Sequence, residues 1–289
     1  MEKLLKIKVP ERVEYIRVIM AEFSRIVSHL IAVGTYGMDI GAVTPFLFCM
    51  RDRERVLDIF EQTCGARLLY NYMWIGGLSH DVQPNFAEKV RSFCTYFRPK
   101  LKELNDLLSY NKIFIDRTAN VGVLPADVAL NYAVSGPTLR GSGVRWDVRK
   151  NDPYSIYPTL DFEIPVGTGA MGTVGDCWDR YMVRVKEMEQ SVNILEQAIE
   201  KLPPGDVQAA LPKRIRPDAG DLYVRTETPK GELGYYLVSD GTASPFRVKV
   251  KSPCFVNLSA LPAMARGSMI ADVVAILGSI DIVLGEVDR

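Results

Sequence analysis

From about Asp176 to Leu202 an apolar side chain returns at every third or fourth position: Trp178, Tyr181, Met182, Val185, Met188, Val192, Leu195, Ile199 and Leu202. That spacing is one face of a helix of roughly seven turns. Asp176 reads as its N-cap, and Pro203-Pro204-Gly205 stops it. A second run from Glu11 to about Val33 repeats the pattern through Ile16, Ile19, Met20, Phe23, Ile26, Val27 and Leu30. Two long helices of this kind must bury their apolar faces, so the chain is predicted to be built around a helical core.

The remaining segments fit around those two. Pro45 suits the first turn of a helix that continues through Phe48, Met50, Val56, Leu57 and Phe60 to about Gly65. Another helical pattern covers about Phe86 to Ser109. Turns follow at Ser135-Gly136-Pro137 and Arg140-Gly141-Ser142-Gly143. Strand signals come late, at Leu222–Thr228, Glu232–Ser239 and Ser244–Lys251, with Asp240-Gly241 reading as a tight hairpin turn. A last apolar segment runs from Met269 to Val287. The predicted class is α+β, mostly α.

The charge balance removes several functions. Among 289 residues, 35 Lys and Arg face 35 Asp and Glu, so the net charge is about zero, against a nucleic-acid-binding surface. Five scattered cysteines without a CxxC pair, and only His29 and His80, argue against a disulfide scaffold and a metal site; reduced thiols are expected. Lys3 and Lys6 break any apolar leader near Met1. Asp272 and Asp281 interrupt the apolar stretch Gly267–Gly285, which is therefore not read as a membrane span. The protein is expected to be soluble, or peripheral on something larger.

Individual motifs divide into structural and functional readings. Gly167-Thr168-Gly169-Ala170-Met171-Gly172 matches GxGxxG, but no βαβ unit surrounds it, so it reads as a Gly-rich loop. Lys213-Arg214-Ile215-Arg216 reads as a solvated loop or a subunit contact. His29, beside Arg25 and Glu22, reads as a structural histidine on a polar helix face; His80 lies in a loop with no triad near it. Asp39 differs. If the first helix continues to it, Ile31, Thr35 and Asp39 share a face, and Gly34, Gly37 and Gly41 allow a close approach to the backbone. In apolar surroundings its proton affinity would rise unless it is paired; from spacing alone a helix-end cap or a buried ion pair fits Asp39 as well as a functional site does. The charged, apolar end Asp281–Arg289 is expected to tuck in with its acids and Arg289 paired.

Taken in order, Tyr15-Ile16-Arg17-Val18, Asp39-Ile40-Gly41-Ala42-Val43-Thr44-Pro45-Phe46, Arg51–Arg55, Leu139–Gly143, Gly175–Tyr181, Pro229–Glu232, Leu237–Gly241 and Gly285–Arg289 resemble the D subunit family of the proton-pumping NADH:quinone oxidoreductase, respiratory complex I. The resemblance runs almost end to end. It implies a hydrogenase large-subunit-like helical core with small antiparallel sheets, residues 1–289 forming one such domain without the family's N-terminal sheet. It further implies a quinone chamber lined by Asp39, with Ile31, Thr35 and Phe46 as wall positions, and by Asp281, Val283, Glu286 and Arg289 of the C-terminal end. Asp39 would carry the charge that couples quinone reduction to proton pumping, paired with a histidine of the N-terminal sheet.

The resemblance also places the cofactors. This chain would hold none and no metal; quinone is the substrate, the last 4Fe-4S cluster sits on a neighbouring subunit, and NADH and FMN bind other subunits. The partners implied are that iron–sulfur subunit, the C subunit of the same complex and the membrane subunit at the quinone entrance. The place is the cytoplasmic side of the bacterial inner membrane or the mitochondrial matrix side. Leu69 and Trp74 stand where many members carry His and Arg. Leucine cannot donate a hydrogen bond toward the last cluster, which implies a lower potential and a menaquinone partner. Two other readings fit the same residues: a non-catalytic scaffold paralogue, and a subunit of a hydrogenase-like membrane oxidoreductase with another electron donor.

Overall fold

The computed structural model describes residues 1–212 and 214–288. After a single turn, α1 (Glu2–Leu5), the chain forms α2 (Glu11–Asp39) and α3 (Val43–Cys64), a two-residue ribbon of β1 (Met73–Trp74) and β2 (Gly77–Leu78), and α4 (Phe86–Leu104). Short helices follow: α5 (Lys112–Thr118), α6 (Ala126–Asn131), α7 (Gly136–Gly141) and α8 (Val148–Asn151). Then come α9 (Cys177–Glu200), the strands β3 (Gly220–Thr228), β4 (Gly231–Ser239) and β5 (Arg247–Lys251), and the closing helices α10 (Pro253–Leu258), α11 (Leu261–Ala265), α12 (Asp272–Ile280) and α13 (Leu284–Val287). The class is mostly helical α+β, as expected.

Both long apolar stripes are buried. α2 packs along α3 and α9, and α4 closes over α9 and α3. Ile16, Ile19, Phe23, Ile26, Met188, Val192 and Leu195 share one apolar core at 0% exposure, each removal from water contributing roughly 1.5–3 kcal/mol. Asp176 caps α9 by accepting from Asp179 N–H, and Gly65 ends α3 in the left-handed region.

Three boundaries differ from expectation. The first helix runs six residues past Val33 to Asp39. The third helical pattern stays α only to Leu104 and finishes as one π-turn over Asn105–Ser109. That turn is held from α9: Trp178 Nε1 donates to Ser109 O (3.0 Å), and Ser109 Oγ bonds Tyr181 Oη (2.8 Å). The three late strands form one antiparallel sheet in the order β3-β4-β5. However, Asp240-Gly241 is not a two-residue hairpin. Asp240 Oδ1 accepts from Thr242 N–H and Thr242 Oγ1 donates to Ser244 O, which makes a longer loop, and β5 begins at Arg247 instead of Ser244.

Candidate functional site

The last turn of α2 carries Asp39 to an exposed position. Ile31, 36% exposed, and half-buried Thr35 lie below it on the same face, as the helical continuation requires. Thr35 Oγ1 donates back to Ile31 O (2.8 Å). Of the three glycines, Gly34 and Gly37 admit the protein itself. A β-carbon at Gly34 would stand 3.1 Å from Cys49 Cβ and 3.3 Å from Phe46 Cα; one at Gly37 would stand 3.0 Å from a Leu108 methyl. They let α3 and the π-turn close onto α2, which fixes Phe46 beside the site. Gly41, at φ 104°, makes the sharp turn between the helices.

The C-terminal end comes back to the same place. α12 packs on α2, and a β-carbon at Gly278 would lie 3.6 Å from Asp39 Oδ2. Two arginines of α9 grip this helix. Arg180 Nε donates to Ser279 Oγ (2.9 Å), and Arg184 donates to the Ser279 and Ile280 carbonyls (both 2.8 Å), satisfying the helix's open C-terminal groups. Asp281 follows in the left-handed region at φ 60°. Lys230 Nζ lies 2.6 Å and Arg184 Nε 3.7 Å from its carboxylate. The expected tucked-in tail is therefore only half right. Asp281 is paired inside, but Val283 and Leu284 are 48% and 68% exposed. The reason is that α13 is a single turn, its contacts made mainly with α10, including Ser252 Oγ donating to Glu286 O (3.2 Å). Arg289 lies outside the described residues, as does Lys213 of the basic cluster.

Behind this end lies a set of buried charges that periodicity did not show. Glu22, Arg25 and His29 of α2, Arg140 of α7, Asp147, Arg149, Glu187 of α9 and Glu227 of β3 are all buried. Arg140 Nε donates to Glu187 Oε1 (2.8 Å), and its Nη1 to Glu227 Oε1 (2.8 Å). Arg149 bridges Asp147 (2.7 Å) and Glu22 (3.1 Å). Glu22 also accepts from Tyr157 Oη and Ser191 Oγ. His29 Nε2 lies 2.9 Å from Glu187 Oε2, so His29 belongs to the core and not to a polar outer face. The hint in the sequence was the run Arg180, Arg184, Glu187, Ser191, charged or polar groups at helical spacing alongside the apolar stripe.

The electrostatics follow from burial and pairing. Burial alone would raise the Glu22 carboxyl, but Arg25 and Arg149 with the two hydroxyl donors bring it down to about 2. Glu187 is held well below the carboxylate range against burial by Arg140 and His29. Burial pushes His29 down, only partly countered by Glu187, and Arg25 and Arg184 add to the shift, so its imidazole is neutral. Four carboxyls (Glu22, Asp147, Glu187, Glu227) face three guanidinium groups (Arg25, Arg140, Arg149). The acid pushed upward is Glu227, by burial and by Asp147 beside it.

The remaining motifs are structural. Two amides of the GxGxxG segment, and one shortly after it, are bonded to α9: Asp179 accepts from Thr168 and Gly169 N–H (3.3 and 2.9 Å) and from Gly175 N–H (3.3 Å). A phosphate would find these donors already used. His80 is held between Ser79 Oγ and Thr63 O. Among the described residues no three His, Cys, Asp or Glu side chains gather as metal ligands. None of the described helices is long and apolar enough to cross a membrane. An apolar cavity of about 680 Å³ lies away from Asp39, between α1, α2 and the β3–β4 face.

These features define a mostly helical protein in which the end of α2 that bears Asp39 lies against α12, the helix that Asp281 follows. A family model described as respiratory-chain NADH dehydrogenase, 49 Kd subunit, matches residues 39–218 and 209–289. The NADH-quinone oxidoreductase D subunit of Chlorobaculum tepidum is 59% identical over 292 residues, spanning 100% of this chain and 73% of that protein. Its counterpart in Chlorobium chlorochromatii is 58% identical with the same coverage, and the D 1 subunit of Cytophaga hutchinsonii is 56% identical over 298 residues, 100% of this chain and 76% of that protein. The chain belongs to the D subunit family of NADH-quinone oxidoreductase, respiratory complex I.

Proposed function

We propose that this subunit forms one wall of the chamber in which complex I reduces quinone, and that Asp39 is the charged element coupling that reduction to proton translocation. The reading is carried by the meeting of Asp39 with the C-terminal helix: its carboxylate stands against Gly278, three residues before Asp281. Exposed apolar side chains stand on the segments that meet there and continue from them: Ile31 and Met38 on α2, Val43 and Leu47 at the start of α3, Val274, Val283 and Leu284 at the end of the chain. A greasy, open surface around a carboxylate is suited to an isoprenoid quinone once partner subunits cover it. Thr35 and Phe46 are assigned to the same wall, together with Asp281 and Glu286 from the end of the chain.

As a subunit of complex I, the chain works with other subunits of that complex. The proposed neighbours are the iron–sulfur subunit bearing the last cluster, the C subunit and the membrane subunit at the quinone entrance, with the assembly on the cytoplasmic or matrix face. NADH and FMN bind elsewhere in the complex. Two electrons arrive from the cluster on the neighbour, and two protons complete the quinol. Asp39 holds a protonated partner, a histidine in the family, in place by opposite charge. When that partner gives its proton to the reduced headgroup, Asp39 loses its counter-ion, and the unbalanced charge is the signal passed to the membrane arm.

Asp39→Asn keeps the shape and removes the charge. In the assembled complex, quinone reduction is expected to fall on the order of tenfold or more, with NADH oxidation by an artificial acceptor retained. Equal quinone rates would sink the proposal. Leu69 gives a second check. It is 100% exposed on the loop between α3 and β1, with Trp74 47% exposed just beyond. An apolar residue there offers the neighbouring cluster no hydrogen bond. A redox titration of the complex is expected to show a low potential for the last cluster that does not vary with pH; a high, pH-dependent one would contradict this.

A further inference from the structure

We infer that Gly278 is a positioning residue: its bare α-carbon lets α12 lie against the ring of Tyr36, and this contact sets the seat of α12 against the Asp39 turn of α2 on which quinone reduction depends. The inference rests on the reading of Asp39 given above and adds to it a residue that never touches quinone. Tyr36 lies one turn before Asp39 on α2, and Gly278 one turn before Asp281 on α12. A β-carbon at Gly278 would stand 2.7 Å from Tyr36 Cδ2 and 3.1 Å from Cε2, well inside van der Waals contact. Gly278 lies within α12 and is not needed there for its backbone freedom, which leaves the close approach as the reason for a glycine.

Neither side can give way cheaply. The Tyr36 ring is 2% exposed and packs edge-on against Phe114 at 5.7 Å and tilted against Tyr181 at 6.2 Å. Interiors packed at this density pass a displacement on instead of absorbing it. α12 is also tied to α9 through Arg180 and Arg184 at Ser279 and Ile280. An added methyl therefore lifts α12 off α2 at the turn that bears Asp39, and it strains the bonds that hold Asp281 between Lys230 and Arg184. The seat of α12 beside Asp39 is then lost, although neither carboxylate has been changed.

The test uses the assembled complex in membranes. Gly278→Ala is expected to lower quinone reduction on the order of tenfold, with oxidation of NADH by an artificial acceptor at the wild-type rate. Gly278→Ala/Tyr36→Val, which removes the ring the methyl strikes, is expected to recover at least about a third of the wild-type quinone rate, more than either single variant. A Gly278→Ala complex with the wild-type quinone rate, or a double variant no better than Gly278→Ala, would overturn the inference. Should Gly278→Ala fail to assemble, the double variant decides: restored assembly and turnover support the inference, and continued failure overturns it. Asp39→Asn run in parallel separates the two claims. A normal quinone rate in that variant overturns the functional reading, whereas a slow Asp39→Asn beside a normal Gly278→Ala overturns the positioning role alone.

Discussion

Arg140→Met is expected to abolish stable incorporation of this subunit into the complex. The Arg140 side chain is 0% exposed and touches three acids from three parts of the chain: Glu187 on α9 (2.6 Å), Glu227 on β3 (2.8 Å) and Asp147 (3.5 Å). It also donates to Trp146 O (2.9 Å). Methionine matches much of its volume but leaves those carboxylates buried, with Arg149, Arg25 and His29 as the remaining counter-groups. Removing one partner of a buried ionic set costs about 3–5 kcal/mol, a large share of the stability of any domain. Arg140→Lys keeps the charge but not the planar fork that reaches Glu187 and Glu227 together, so it should fall between methionine and wild type. The amount of assembled complex on a native gel, and its thermal inactivation, give the measurement. Wild-type levels of an Arg140→Met complex would show that the ionic set does not hold the fold.

The second large effect is loss of protection on acidification. His29 titrates below its ordinary value of 6.5 because burial disfavours its charged form. The unfolded chain therefore binds that proton first, and stability falls as pH drops below about 6.5. Glu22 and Asp147 lie at about 2, below ordinary values of 4.5 and 3.8. Their contribution is complete above those ordinary values and is lost as pH falls toward about 2; for Glu22 alone it is on the order of 3 kcal/mol. Glu227, pushed upward, works in the opposite sense and offsets part of the gain at neutral pH. Hydrogen exchange of α2 and α9 peptides in the complex, corrected for the intrinsic pH dependence of exchange, should show protection falling in two stages, below about pH 6.5 and again below about 4.5. His29→Gln, which can still donate to Glu187, should remove only the first stage. A single carboxylate stage in wild type would place the histidine outside the acid response.

Much of the frame was legible because helix formation leaves a local record. Three- and four-residue spacing located α2, α3, α4 and α9, and Asp176, Gly65 and the late β-branched residues marked ends and strands. The same rule misread His29. Helical spacing says which residues share a face, but it cannot say that a second face is also covered, and His29 is covered by Glu187, 158 residues away. The π-turn at Asn105–Ser109 was hidden for a similar reason: its partners, Trp178 and Tyr181, lie on another helix.

From its residues alone this chain determined its long helices, its net charge of about zero, its family and the shared face of Ile31, Thr35 and Asp39. Those properties depend on neighbours in sequence or on motifs taken in order. Only the tertiary structure decided that Gly34 and Gly37 receive α3 and the π-turn, that Asp281 is held by Lys230 and Arg184, that four acids and three arginines close a charge set inside the core, and that Gly278 brings the chain's end against Asp39. Each of these is a contact between segments from about a dozen to more than two hundred residues apart. Its energy comes from burial and charge pairing that exist only once the helices have packed.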